Sequence, residues 1–235
     1  MFVTVSSKSL GDFLQLLKRS PAGAVFNPWC ESDEQNDIGR SAPVIRREQL
    51  YAYLQKRLGK ASIAVIGEAV GYRGGHFSGI PMTSERLLLG HNNKVQITPV
   101  DFFSSIEPRR TSKSEKYPKG FSEPTATIAW STLLQLGLKP DQFVLWNAFP
   151  WHSFDSRRGM LSNRMPNKSE RAAGLPVLKS FLELFPCNQV VALGKIAAAQ
   201  LGILNVVAYC IRHPACGGAK LFRQQIANVV SRWNY

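Results

Sequence analysis

Three separated runs of this sequence carry residue types able to do chemistry on a polar ring or a developing anion. The first is Gly67-Glu68-Ala69-Val70-Gly71-Tyr72-Arg73-Gly74-Gly75, continued by Phe77-Ser78-Gly79-Ile80-Pro81-Met82-Thr83-Ser84. Its glycines permit left-handed backbone and close approach to a ligand, and they set a carboxylate at a cavity edge rather than on a helix face. The second is Asn147-Ala148-Phe149-Pro150-Trp151-His152. Asn147 offers an acceptor and donors on one rigid plane, which suits a cyclic imide or amide edge, and the aromatics beside it can wall a ring. The third, Arg212-His213-Pro214-Ala215-Cys216-Gly217-Gly218-Ala219, puts an imidazole next to free backbone amides, a setting for growing negative charge. Each run also has an ordinary use: Asn147 as a turn cap, His213 as a packed side chain at a strand end. The first run fits neither G-x-x-x-x-G-K-S/T nor G-x-G-x-x-G, which argues against a nucleotide cofactor.

These runs need elements to hold them. Short apolar stretches at Ser62 to Gly67, Gln142 to Asn147, Gln189 to Gly194 and Val206 to Ile211 read as parallel strands covered on both faces. Helix-period segments lie between and around them at Arg46 to Leu58, Thr125 to Leu136, Ser169 to Phe185, Lys195 to Leu201 and Ala219 to Val230. The alternation predicts an α/β fold, a three-layer α/β/α sandwich around a four-stranded parallel sheet, as one domain over residues 1–235. In open α/β sheets ligands bind beyond the carboxyl ends of strands, where all three runs fall. The stretch from Gly90 to Ser122 lacks a confident element and reads as a surface loop, functional or mobile.

The chain has 235 residues, 44% of them hydrophobic, enough for a substantial core without disulfides. Its formal charge of +13 points to an anionic partner such as nucleic acid. From Leu184 onward there is no Asp or Glu, and basic residues cluster in loops after strands; the acidic cluster Glu31, Asp33, Glu34 and Asp37 lies near the start. The N-terminal stretch lacks the pattern of a leader, and no segment is long and apolar enough for a membrane span, so a cytoplasmic protein without membrane contact is expected. The four cysteines, Cys30, Cys187, Cys210 and Cys216, have no C-x-x-C spacing, so no structural metal is expected.

Together the three runs resemble the uracil-DNA glycosylase superfamily. The resemblance rests on Gly67-Glu68-Ala69-x-Gly71 with Gly79-Ile80-Pro81, on the Asn-ended strand at Asn147, and on His213-Pro214, and it spans Ser62 to about Arg223. The first motif looks most like the thermostable iron-sulfur branch. The cysteine spacings do not fit a cluster, which places the chain with a cluster-free bacterial branch. Three positions depart from the family pattern: Ala69 stands where the best-known branch has Asp, Val70 where Pro is usual, and Met82 where a Phe commonly stacks on uracil.

The resemblance implies a repair enzyme that flips uracil out of single- or double-stranded DNA and hydrolyses its glycosidic bond, acting as a monomer without metal or cofactor. His213 would hydrogen-bond the charge growing at O2, Asn147 would read the N3 and O4 edge, and Glu68 would position or activate water. Gly67, Gly71, Tyr72, Phe77 and Met82 would shape the pocket, with Phe77 or Met82 as the stacking wall. DNA contacts would come from Arg73, Ser84, Arg109, Arg110, Arg157, Arg158, Gly217, Gly218 and Lys220. Asp155 competes with Glu68 for the water. The alternative is a protein that binds uracil or abasic DNA without turnover, or captures its product covalently.

Overall fold

The computed structural model describes residues 9–92 and 95–232. The first eight residues, part of the stretch read for a leader, and residues 93–94 of the long loop lie outside it. In chain order the elements are α1 (Leu10–Leu16), β1 (Val25–Phe26), α2 (Ala42–Arg57), β2 (Ile63–Ala69), α3 (Gly75–Ser78), α4 (Glu85–Leu88), α5 (Pro99–Phe102), α6 (Pro124–Gln135), β3 (Phe143–Phe149), β4 (His152–Ser153), α7 (Lys168–Leu184), β5 (Gln189–Leu193), α8 (Lys195–Ile203), β6 (Tyr209–Ile211) and α9 (Ala219–Ser231). The four long strands form one parallel sheet in the order β3-β2-β5-β6, the expected α/β architecture. Helices cover both faces of β3, β2 and the end of β5, which are buried, whereas β6 at the sheet edge exposes Tyr209 and Cys210, so the last apolar run is not covered on both faces as expected. Trp146 of β3 stacks on Phe181 of α7 on one side, while Phe143 of the same strand meets Trp130 of α6 on the other.

Local chemistry explains the element ends. Asn167 accepts from the Glu170 amide while Glu170 accepts from the Asn167 amide, a reciprocal cap that starts α7. Pro124 sits in the first turn of α6, where its missing N–H costs nothing.

Two strands differ from the reading of the sequence in a way that matters for the site. β2 and β3 continue two residues past Gly67 and Asn147, which sit opposite each other in the ladder, to a further pair, Ala69 with Phe149. Gly67, Glu68 and Asn147 therefore belong to strands and not to the turns after them. A small antiparallel pair, β1 with β4, was not legible at all, since each strand is only two residues long. The long loop is also pinned. Buried Glu85 accepts from the amides of Thr111 and Ser112 at 2.7 and 2.9 Å, and Thr111 Oγ1 donates to the Phe77 carbonyl.

Candidate base-recognition site at the sheet edge

Gly67 and Asn147 are register partners on neighbouring strands, so their side-chain positions share one face. A Cβ on Gly67 would lie 2.5 Å from Asn147 Oδ1 and 3.2 Å from Met82 Sδ. Only glycine lets the amide and the thioether come together there. Asn147 is 1% exposed, yet among the described residues neither Oδ1 nor Nδ2 has a hydrogen-bond partner. Leaving a buried polar group unsatisfied costs about 1–3 kcal/mol. Such an expense at a strand's carboxyl end marks a group kept ready for a ligand. Met82 holds φ 48°, a left-handed conformation that long side chains rarely take, as residues fixed at a functional turn do.

Met82, not Phe77, is thus the candidate wall that the structure brings to Asn147. Phe77 is fully buried on α3, with Phe121 stacked on it at 4.0 Å and His76 tilted against it at 4.4 Å. Glu68, next to Gly67 on β2, points to the opposite face. There it borders a cavity of about 290 Å³ with Gly71, Asn163 and Met165. Burial raises its carboxyl above the usual range, an effect that Arg171 of α7 moderates. Tyr72 follows Gly71 in the turn, its amide donating to Asn163 Oδ1 at 3.0 Å.

His213 stands at the far edge of the sheet, just after β6. Its Nδ1 accepts from the Ala215 amide at 3.1 Å, which leaves Nε2 to carry the proton of the neutral ring. Burial, reinforced by Arg212, holds the imidazole below its ordinary pKa, so the neutral tautomer with a free Nε2–H donor prevails near pH 7. The loop that sets this geometry depends on Gly218, where a Cβ would come within 2.1 Å of the His213 carbonyl oxygen. Among the described residues no group of three or more His, Cys, Asp or Glu is placed to hold a metal ion.

The family model for the uracil DNA glycosylase superfamily matches residues 57–231, which takes in every element from β2 to α9. The chain belongs to the uracil-DNA glycosylase superfamily. Its fold is similar to that of SMUG2 from Pedobacter heparinus, with a TM-score of 0.59 at 14% identity, covering 95% of this chain and 97% of that one. No curated protein matches the sequence. That superfamily is one of DNA glycosylases, which act on DNA.

Within that superfamily frame, the residues expected at the DNA divide by exposure. Ser84 is a correction: it is 1% exposed and its Oγ accepts from the Leu87 amide, so it caps α4 and cannot face a phosphate. Arg110 donates to the carbonyls of Tyr117 and Pro118, and Arg109 pairs with Glu48, so both brace the long loop. Arg73 is exposed beside the glycine turn, where its Nε donates to the Tyr72 hydroxyl. Arg157, Arg158, Gly217 and Lys220 are also exposed, whereas Gly218 is buried in its turn.

One cluster behind the site had no counterpart in the reading of the sequence. His152 Nε2 donates to the Ser162 carbonyl, so its Nδ1 accepts from His76 Nδ1 at 3.0 Å. The other nitrogen of His76 lies 3.3 Å from Asp33 Oδ2. Burial pushes the His152 pKa down to about 3, leaving that ring neutral. Burial would raise Asp33, but its contacts with His76 and Asn36 outweigh it and hold the carboxyl below its usual range. The hydrogen bonds from His76 through His152 to Ser162 fasten α3, and with it the Gly71–Gly74 turn, to β4. A histidine's pairing across 76 residues leaves no periodicity to detect.

Proposed function

We propose that the protein flips uracil out of DNA and hydrolyses its N-glycosidic bond, leaving an abasic site. The observation that carries this reading is the enclosed, unpartnered amide of Asn147. Uracil presents N3–H and O4, a donor beside an acceptor, and one orientation of the amide satisfies both. Cytosine presents the reverse pattern, which would leave buried polar groups unpaired. The thioether of Met82 supplies a polarizable surface against the ring. As the glycosidic bond lengthens, charge gathers on the departing base, and the His213 Nε2–H is a neutral donor for O2. The exposed arginines and the net charge of +13 help meet the cost of unstacking, about a few kcal/mol, through phosphate contacts.

Incubation with a uracil-containing oligonucleotide followed by alkali tests the proposal, with a normal-base strand as control. Free uracil and a strand cut at the uracil position are expected. A heat-stable shifted band would replace turnover by covalent capture, and neither product would leave a binding protein.

Two substitutions probe the roles. Asn147→Ala is expected to slow uracil excision about 10- to 100-fold, the worth of two hydrogen bonds. Asn147→Asp should lower uracil excision and admit cytosine, because a carboxylate accepts from the exocyclic amine; paired uracil and cytosine strands read both effects. An unchanged uracil rate in Asn147→Ala removes this residue from the pocket. His213→Ala is expected to cost about 100- to 1000-fold in the chemical step, with little change in affinity for intact DNA. A loss confined to affinity would make His213 a phosphate contact instead.

A further inference from the structure

The two edges of the sheet are finished differently. β3 is sealed by side chains of α2: the Leu145 amide donates to the Tyr53 hydroxyl at 2.9 Å, and Arg57 Nε donates to the Phe143 carbonyl at 3.1 Å. β6 has no such seal among the described residues. The Ile211 carbonyl accepts from the Gly194 amide, so Ile211 faces β5, and alternation along the strand turns the N–H and C=O of Cys210 outward. Within the described residues no hydrogen bond reaches either group. An edge left open in this way pairs with another chain unless charge, proline or a covering element blunts it. The strand residues Tyr209, Cys210 and Ile211 include neither a charge nor a proline, and the first two are exposed.

A groove runs beside this edge. A cavity of about 330 Å³ separates β6 from one stripe of α9, where Gln225, Asn228 and Arg232 follow one another at helical spacing. The Arg212 amide donates to Gln225 Oε1 at 2.7 Å, which ties the carboxyl end of β6 to that stripe. From Gln225 to Arg232 the helix covers about 10 Å at roughly 1.5 Å per residue. Arg212 and Arg232, both exposed, therefore stand toward opposite ends of the groove. The same length is spanned by about three extended residues at roughly 3.3 Å each. Just before the strand, Val207 is 94% exposed and Ile203 is also exposed, which extends the apolar surface.

Charge selects the occupant. From Leu184 to the end the chain has no Asp or Glu, so nothing in this part of the sequence repels a carboxylate, and Arg223 adds to the cations of α9. A second copy of the chain would bring the same cations to a twofold edge-to-edge pairing, which opposes it. DNA carries the right charge but has no peptide backbone to pair with Cys210.

We infer that the open edge of β6 and the groove beside it dock an extended, acidic segment of a partner protein, which adds a fifth strand to the sheet. An apolar core of about three residues would lie along β6, with carboxylates meeting Arg212 and Arg232. This surface is independent of the base chemistry proposed for Asn147.

The probe is a capped peptide, valine-threonine-valine flanked on each side by two aspartates, titrated onto the full chain while the Cys210 amide is followed by NMR. Saturable movement of that amide is expected. A lysine-flanked peptide should bind at least about 10-fold more weakly, and so should an aspartate peptide whose core amides are N-methylated. Arg232→Glu should weaken the aspartate peptide about 10-fold. Cys210→Pro, which removes the outward N–H and leaves the ladder to β5 in place, should weaken it about as much, with urea denaturation confirming that the variant folds. If that variant does not fold, the N-methylated peptide still decides. No saturable binding, or equal binding of the lysine or N-methylated peptide, overturns the inference. So do three other results: movement of the Cys210 amide by normal-base single-stranded DNA and not by the peptide, binding only after the chain is cut at Arg232, which gives the groove to residues 233–235, and a dimer that Cys210→Pro abolishes.

Discussion

Glu68→Gln is expected to lower single-turnover uracil excision by about 100- to 10,000-fold, the usual loss for a missing general base, while folding and DNA binding persist. Glutamine keeps the shape and can still hydrogen-bond water, so the loss isolates the carboxylate. The geometry makes the prediction demanding. β2 remains a strand through Ala69, so Glu68 and Gly67 point to opposite faces, and Asn147 shares the face of Gly67. Glu68 reaches the reacting sugar only if the flipped nucleotide spans the strand end, with its base on the Asn147 side and its sugar toward the cavity beside Gly71 and Asn163. Asp155 is the rival. Its Oδ1 accepts from the Arg157 amide at 3.0 Å and contacts the Arg157 guanidinium, and these hydrogen bonds hold its carboxyl below the usual range. A carboxylate so occupied is a weaker base. A wild-type rate for Glu68→Gln with a collapsed rate for Asp155→Asn would transfer the role to Asp155. Normal rates for both would mean that water needs no carboxylate here.

Arg46→Met is expected to destabilise the fold by about 3–5 kcal/mol, the cost of stranding one partner of a buried ion pair. Arg46 and Asp37 are both fully buried, joined by bonds of 2.8 Å from Nη1 and 3.0 Å from Nη2, and Nη2 also donates to the Glu31 carbonyl at 2.7 Å. The same guanidinium lies 5.5 Å from the centre of the Phe26 ring. Asp37 in turn accepts from the Asp33 amide and forms an antiparallel bridge with Ser112, so the pair ties the segment before α2 to the long loop. Urea denaturation measures the loss. Adding Asp37→Leu to Arg46→Met should recover part of it, because the remaining charge is then removed. A cost under about 1 kcal/mol in the single variant would show that Asp37 finds water or another donor.

The acidic residues Glu31, Asp33, Glu34 and Asp37 show why such features escape a linear reading. In sequence they form one acidic run; in the fold Asp33 and Asp37 are interior partners of His76 and Arg46, while Glu34 is exposed. Arg109 and Arg110 likewise read as loop cations, yet each is engaged within the protein. Charge composition reports how many cations a chain has. Which of them remain available for phosphate depends on what folds against them.

The sequence by itself determined the layered α/β sheet, its four strands and the helices between them, because burial on one or two faces writes a period into neighbouring residues. It also singled out Gly67, Asn147 and His213 as candidates, since a glycine, an amide and an imidazole at the carboxyl ends of short apolar runs are local features. Tertiary structure alone decided that Met82 stands beside the Gly67–Asn147 pair while Phe77 packs against Phe121, and that Glu68 points away from Asn147. Those outcomes depend on register and on helix-to-strand levels. The interactions that set them join residues tens of positions apart, where no repeat or spacing in the chain records the contact.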